Sequence, residues 1–231
     1  MRTAVFLALA LAVAEPAAAE EGFLYKAQFV QAAPGRLLDL IDLVKAKTEE
    51  PPFALRHSQG DRWDLMLLTP MGASYADYFA PERAARRRKT EHSEKWKELV
   101  AWQEDIFVFG PPLEDVRASF SKAGFFHVEI FRALPGRHAD LFKERLMENA
   151  YLKTLKRPEN LIFVRDQGAG WDLLTLGFYR DLKHYAESAD IPEKDQEAAA
   201  KAAGFEGASR IGTYLRTLIR EHHDTLAVAV K

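Results

Sequence analysis

The 231-residue chain contains no cysteine. That excludes disulfides, thiolate metal sites, a cysteine nucleophile, cysteine-held iron–sulfur clusters and a cysteine-linked lipid anchor. An excess of charge of one sign is also missing. Lys and Arg number 32 against 34 Asp and Glu, a formal net charge of −2, which speaks against a nucleic-acid binder recognised by charge. There is no Gly-x-Ser-x-Gly, no Gly-rich phosphate loop and no dinucleotide fingerprint, so no serine hydrolase, NTPase or nicotinamide enzyme is argued. His-x-x-x-His and His-Glu-x-x-His are absent too. No apolar run reaches the about 20 residues a spanning helix needs. What is present is 48% hydrophobic residues, enough to bury a sizeable core.

The first residues read as a secretory signal peptide. Arg2 supplies a short positive region, Ala4 to Ala14 an apolar stretch, and Ala17-Ala18-Ala19 small residues before a cut. This pattern predicts removal before Glu20 and a bacterial, periplasmic mature protein.

The rest of the chain is written twice. Leu24–Ile41 aligns with Phe125–Phe142 at an offset of 101, with 6 of 18 positions identical, Pro34-Gly35-Arg36 among them. Phe53–Leu68 aligns with Leu161–Leu176 at an offset of 108, with 6 of 16 identical, including Gln-Gly-x-x-Trp-Asp-Leu. Leu99–Val108 aligns more weakly with Leu218–Ala227 at an offset of 119. The blocks are colinear, as a tandem duplication requires.

Each copy reads strand, helix, strand, strand, helix, strand. Leu24–Gln31 and Phe125–Arg132 alternate and are rich in aromatic and β-branched residues, as strands are. After Pro-Gly-Arg, apolar residues recur three and four apart (Leu37, Leu38, Ile41 and Leu141, Phe142, Leu146), predicting helices. Hairpins are predicted around Gln59-Gly60-Asp61-Arg62 and Gln167-Gly168-Ala169-Gly170. Helical stretches are predicted over Glu82–Glu104 and Ile211–His222, followed by short closing strands at Ile106–Phe109 and Leu226–Val230. The resulting fold class is α+β: two ferredoxin-like βαββαβ repeats, 22–110 and 124–231, joined by a linker over 111–123 that carries Pro111-Pro112 and a short helix.

In this element order and duplication the chain resembles the dimeric α/β-barrel superfamily in a fused, pseudo-dimeric form. Its relatives by resemblance include NIPSNAP-like, antibiotic-biosynthesis-monooxygenase-like and haem-handling proteins. The resemblance covers nearly all of 23–231 and speaks to fold more than to activity. It implies a small-molecule ligand and admits haem, with an axial histidine from a helix; His92, His184, His222 and His223 lie in no matching motif.

Candidate site residues follow from strand faces. Lys26 and Gln28 share one face of the first strand, and His127 and Glu129 the equivalent face in the second copy. The opposite faces are apolar. Polar groups on a covered face must pair or line a wet pocket, since leaving one unpaired costs about 1–3 kcal/mol. The copies differ at His57 against Arg165, and share Trp63-Asp64 and Trp171-Asp172. Repetition of Trp-Asp suits a structural job, with Trp under a helix and Asp bonding turn amides. A single site is expected in the second half, from His127, Glu129, Arg165 and Asp172 with Trp171 as wall, opposite Lys26, Gln28 and His57. No metal is expected, because His127 and Glu129 supply only two ligands. The basic run Arg83–Lys89 reads as a solvated helix face. His222-His223 reads as the end of a helix, where imidazolium suits the dipole. The expected role is to hold a small, partly apolar ligand in a barrel cleft, as a monomer or weak homo-oligomer with no nucleic-acid partner. The alternative is a cofactor-independent or haem-linked oxidoreductase.

Overall fold

The computed structural model describes residues 22–46, 51–90 and 93–230. The signal-peptide segment lies outside them. The first half contains β1 (Phe23–Ala32), α1 (Leu37–Lys45), β2 (Phe53–Gln59), β3 (Leu65–Gly72), α2 (Tyr75–Phe79), α3 (Pro81–Thr90), α4 (Glu94–Leu99) and β4 (Val100–Gly110). After α5 (Leu113–Lys122) the second half contains β5 (Phe125–Ala133), α6 (His138–Thr154), β6 (Leu161–Gly168) and β7 (Leu173–Tyr179). It ends with α7 (Leu182–Ala186), α8 (Glu193–Ala202), α9 (Ile211–Arg216) and β8 (Ile219–Ala229). Among the described residues no helix is long and apolar enough to cross a membrane.

The strands close into one barrel in the order β1-β3-β2-β8-β5-β7-β6-β4. Each half supplies a four-stranded ferredoxin-like sheet. The two seams, β2 with β8 and β4 with β6, are antiparallel pairs between halves. Closure leaves no sheet edge exposed, which either half alone would have.

The period-2 pattern decides what fills the barrel. Tyr25, Ala27 and Phe29 of β1 and Phe126, Val128 and Ile130 of β5 belong to one buried core with Ile106, Phe163 and Ala227. Helices cover the outside of each sheet in equivalent ways. Leu40 of α1 packs on Val30, Leu65 and Leu99; its counterpart Leu141 of α6 packs on Phe131, Leu173 and Leu218. These are the same positions at offsets of 101, 108 and 119.

The linker is part of the core. Val116 of α5 is buried within it, and Phe120 stacks on Phe53 at 4.5 Å. The Tyr25 hydroxyl donates to the Pro111 carbonyl at 2.7 Å. α5 therefore plugs the end where β1 and β5 begin, and the opposite end is left as a mouth. Gly60 and Gly168 close the hairpins with φ of +121° and +117°. Each presses on the closing strand of the other half, where only a residue without Cβ fits.

Two expectations are corrected. The stretch Glu82–Glu104 is α3, α4 and then strand from Val100, and Ile211–His222 is α9 followed by strand from Ile219. His222-His223 therefore lies on β8, and its two rings point to opposite faces. The basic run is also less free than expected. Arg83 donates to the Met71 carbonyl at 2.6 Å, and Arg87 to the Tyr78 carbonyl at 2.5 Å while lying 3.5 Å over the Tyr78 ring.

Candidate functional site

The residues expected to form one site are split by the barrel wall. His127 and Glu129 point outward, beneath α6. Trp171 points into the barrel mouth. Asp172 accepts from the Ala133 backbone N–H at 2.9 Å and pairs with Arg165 at 2.5 Å. Asp64 accepts from Ala32 in the same way at 2.8 Å. The Asp of the repeated Trp-Asp is thus the turn-binding residue expected, while the Trp is not under a helix. Gln28 donates to Asp105 at 3.0 Å, and Lys26 is buried beside it on the outer face of the first half. His57 lies edge-on to Trp63 at 5.7 Å, with its Nε2 buried and without a hydrogen-bond partner.

The mouth holds a cleft of about 320 Å³, within the range of small-molecule sites. Its walls come in pairs related by the duplication: Trp63 with Trp171, Phe29 with Ile130, Trp102 with Glu221, Glu104 with His223. Phe29 sits between the two indoles, 5.5 Å from Trp63 and 6.0 Å from Trp171. Both indole Nε1 atoms are buried; that of Trp63 meets no acceptor, and that of Trp171 lies beside the Glu104 carboxyl without a well-formed hydrogen bond. A buried donor without an acceptor costs about 1–3 kcal/mol, so the Trp63 N–H, with the poorly met Trp171 N–H across from it, marks where an acceptor atom belongs.

The rim is charged but nearly balanced. Asp61, His223, Glu221 and Arg132 form a chain with contacts of 3.3, 2.9 and 3.7 Å. Arg62 lies 4.7 Å over the Trp102 ring. Burial pushes the Glu104 carboxyl above its ordinary range, and Arg62 only partly offsets that. Sequence reasoning missed Trp102, Glu104 and His223 because it placed them in or at the end of helices.

On the outer face of the second half, β5 and β8 set Glu129 directly opposite Asp224. His127 Nε2 is 3.1 Å from Asp224 Oδ1, and His222 Nε2 lies 3.3 Å from Asp224 and 3.5 Å from Glu129. The Thr175 hydroxyl donates to Glu129 at 2.9 Å. Behind them Arg145 of α6 grips Glu144 at 2.6 and 2.7 Å, pairs with Glu148, and lies 3.7 Å from Glu129. Burial would lower the His127 pKa, but the Asp224 hydrogen bond and the Glu129 charge outweigh it and raise it. The same contest lifts His222 to about 9. Burial opposes ionisation of Asp224, yet its two imidazole partners hold it well below the usual carboxylate range. Burial lifts Glu148 to about 7.

His184, His222 and His223, the described histidines named above for an axial role, do not fit haem. His222 lies flat on Phe131 at 4.7 Å, with its Nε2 between two carboxylates. His223 is held at both nitrogens by Asp61 and Glu221. His184 accepts from the Arg180 N–H and faces Glu187. His92 lies outside the described residues.

No family model and no curated protein matches the chain. Solved structures do match over almost the whole length. An anthrone oxidase-like protein superposes with a TM-score of 0.61 at 13% identity, covering 92% of each chain. A candidate monooxygenase from Lactobacillus acidophilus gives 0.51 at 8% identity, over 91% of this chain and 95% of the other. A candidate chlorite dismutase gives 0.50 at 11% identity, over 90% and 95%. The chain has the fold these proteins share, the dimeric α/β barrel, with both halves carried on one polypeptide.

Proposed function

We propose that the chain is an exported protein that holds a small, planar, oxygen-bearing aromatic molecule in the barrel-mouth cleft. The observation that carries this reading is the buried Trp63 N–H without an acceptor on the cleft wall, with the Trp171 N–H facing it beside the Glu104 carboxyl. Flat ring surfaces from Trp63, Trp171, Phe29 and Trp102 suit an aromatic body. The indole donors suit carbonyl or phenolic oxygens. The rim, with both signs of charge, suits a ligand of low net charge. Export rests on the Arg2, Ala4–Ala14 and Ala17–Ala19 pattern.

A second reading is favoured by Glu104. A carboxyl lifted by burial, facing His223 across the cleft, can take a proton from a bound phenol or an activated C–H. The chain would then be a cofactor-independent oxidoreductase of the kind its anthrone oxidase-like and monooxygenase-like neighbours suggest, acting in the same cleft.

The test is native mass spectrometry of protein freshly purified from a periplasmic extract. The expected result is a chain beginning at Glu20 that carries one small molecule. The double variant Trp63→Phe/Trp171→Phe keeps ring walls but removes both donors, and should lose most of the retained molecule. Equal retention by that variant, or a chain that never carries a ligand, would overturn the binding reading.

A further inference from the structure

We propose that the outer face of the second half binds one divalent first-row transition ion through His127, Glu129, His222 and Asp224. This site is separate from the cleft and does not depend on how the cleft is used.

The geometry is that of a ligand set. Metal bonds to imidazole nitrogen and carboxylate oxygen of about 2.0–2.2 Å place neighbouring ligand atoms roughly 3 to 3.5 Å apart. The contacts among His127 Nε2, His222 Nε2, Asp224 Oδ1 and Glu129 Oε1 include separations of 3.1, 3.3 and 3.5 Å. One ligand atom each from His127, Glu129 and Asp224 all lie within 4.8 Å of one another, and His222 joins these three through Asp224 and Glu129. His222 Nε2 is buried, 3.3 Å from Asp224 and 3.5 Å from Glu129, without a well-aligned hydrogen bond to either. It points between them, as a ligand does, rather than at one.

The first half is a built-in control. Its equivalent positions are Lys26, Gln28, Gln103 and Asp105, at the same offsets of 101 and 119. There Gln28 and Gln103 both donate to Asp105, at 3.0 and 3.3 Å, and the cluster is closed by ordinary hydrogen bonds. The second half keeps the Asp and differs at the other three places, each time from a non-ligand to a ligand. Such a set places Glu129 directly across from Asp224, an arrangement of like charges that destabilises a sheet unless positive charge lies between them, supplied by the imidazoles when protonated or by an ion that takes the place of their protons.

The surroundings support an ion. Thr175 fixes one Glu129 oxygen, and Phe131 fixes the plane of His222; such outer contacts orient metal ligands. Arg145 is gripped by Glu144 and Glu148 and reaches Glu129 only at 3.7 Å, so it neutralises the ligand carboxylates only in part. The Asp224 side chain is 54% exposed, which leaves a path for entry. Two imidazoles select a zinc-class ion over magnesium or calcium, which prefer oxygen ligands alone.

The experiment titrates Zn²⁺ into the EDTA-stripped full chain by calorimetry, with stoichiometry read by native mass spectrometry. One ion per chain is expected. Asp224→Asn and His222→Gln should each weaken binding about tenfold or more, while Asp105→Asn in the first half should leave it unchanged. Asp224→Asn alters a half-exposed group and is decisive even where His222→Gln fails to fold. Absence of a stoichiometric ion, or binding undiminished in Asp224→Asn, would overturn the proposal.

Discussion

Alanine at Gly60 or Gly168 is expected to cost about 3 kcal/mol or more at each site, from backbone strain and overpacking together. At Gly60 a Cβ would stand 2.2 Å from the Asp224 carbonyl oxygen and 2.8 Å from Thr225 Cα. At Gly168 it would stand 2.7 Å from the Asp105 carbonyl oxygen and 2.9 Å from Ile106 Cα. The obstacles are backbone, which cannot swing aside as a side chain can. Both are also in the opposite half, so each substitution pries open a seam of the barrel. Gly35 and Gly136 are the controls. Their φ values are +75° and +77°, but nothing lies within 4 Å of a built Cβ, so alanine there should cost only about 1 kcal/mol. Urea denaturation of the four variants measures the contrast. Equal losses at all four would mean that the hairpins do not press on the far strands.

Arg145→Ala is expected to cost about 3–5 kcal/mol near neutral pH. The Arg145 side chain is 2% exposed and is the cation for Glu144, Glu148 and Glu129. Its removal leaves those carboxylates buried against one another. The loss should shrink in acid. Glu148 has its folded pKa raised to about 7 from 4.5, so the folded state holds that proton more tightly than the unfolded chain. Stability linked to Glu148 is present below the lower value and is lost as pH rises through the upper one. Without Arg145 that dependence should steepen, which denaturation at pH 5 and pH 8 would show. Continuing the offset of 101 through the helix places Leu43 and Val44 opposite Glu144 and Arg145. The double variant Glu144→Leu/Arg145→Val copies the first half and should recover part of the loss, since well-packed apolar residues can replace a buried ion pair. A near-neutral Arg145→Ala would contradict this picture.

The barrel was legible in the sequence because it was written twice. Offsets of 101, 108 and 119 align Leu40 with Leu141, Leu65 with Leu173 and Leu99 with Leu218, and these pairs pack the same way. The inner face of β1 and β5 was legible as strict alternation. The starts of β4 and β8 were not. There the inward positions are Trp102 and Glu104, and Glu221 and His223, which line the polar mouth and break the apolar alternation that marks a strand. The residues that make the cleft are thus the ones that disguise its strands. The same misreading put His222 at a helix end, left Asp224 between the predicted helix and strand, and so left His127 and Glu129 without their cross-strand partners. Trp171 and Asp172 were read as one site although neighbours along an extended chain face opposite ways.

The central claim is the cleft, and nuclear magnetic resonance of the indole N–H groups tests it most directly. The chain has four tryptophans: Trp63, Trp102 and Trp171 line the mouth, while the Trp96 N–H donates to Gln103 outside it at 2.9 Å. Protein labelled with ¹⁵N at tryptophan would be titrated with 1,4-naphthoquinone, a planar aromatic with two carbonyl acceptors. The account predicts saturable shifts of the Trp63 and Trp171 N–H signals, a smaller shift at Trp102 and none at Trp96. Signals from Trp63 and Trp171 that stay fixed while the probe binds elsewhere, or that never move at all, would contradict it.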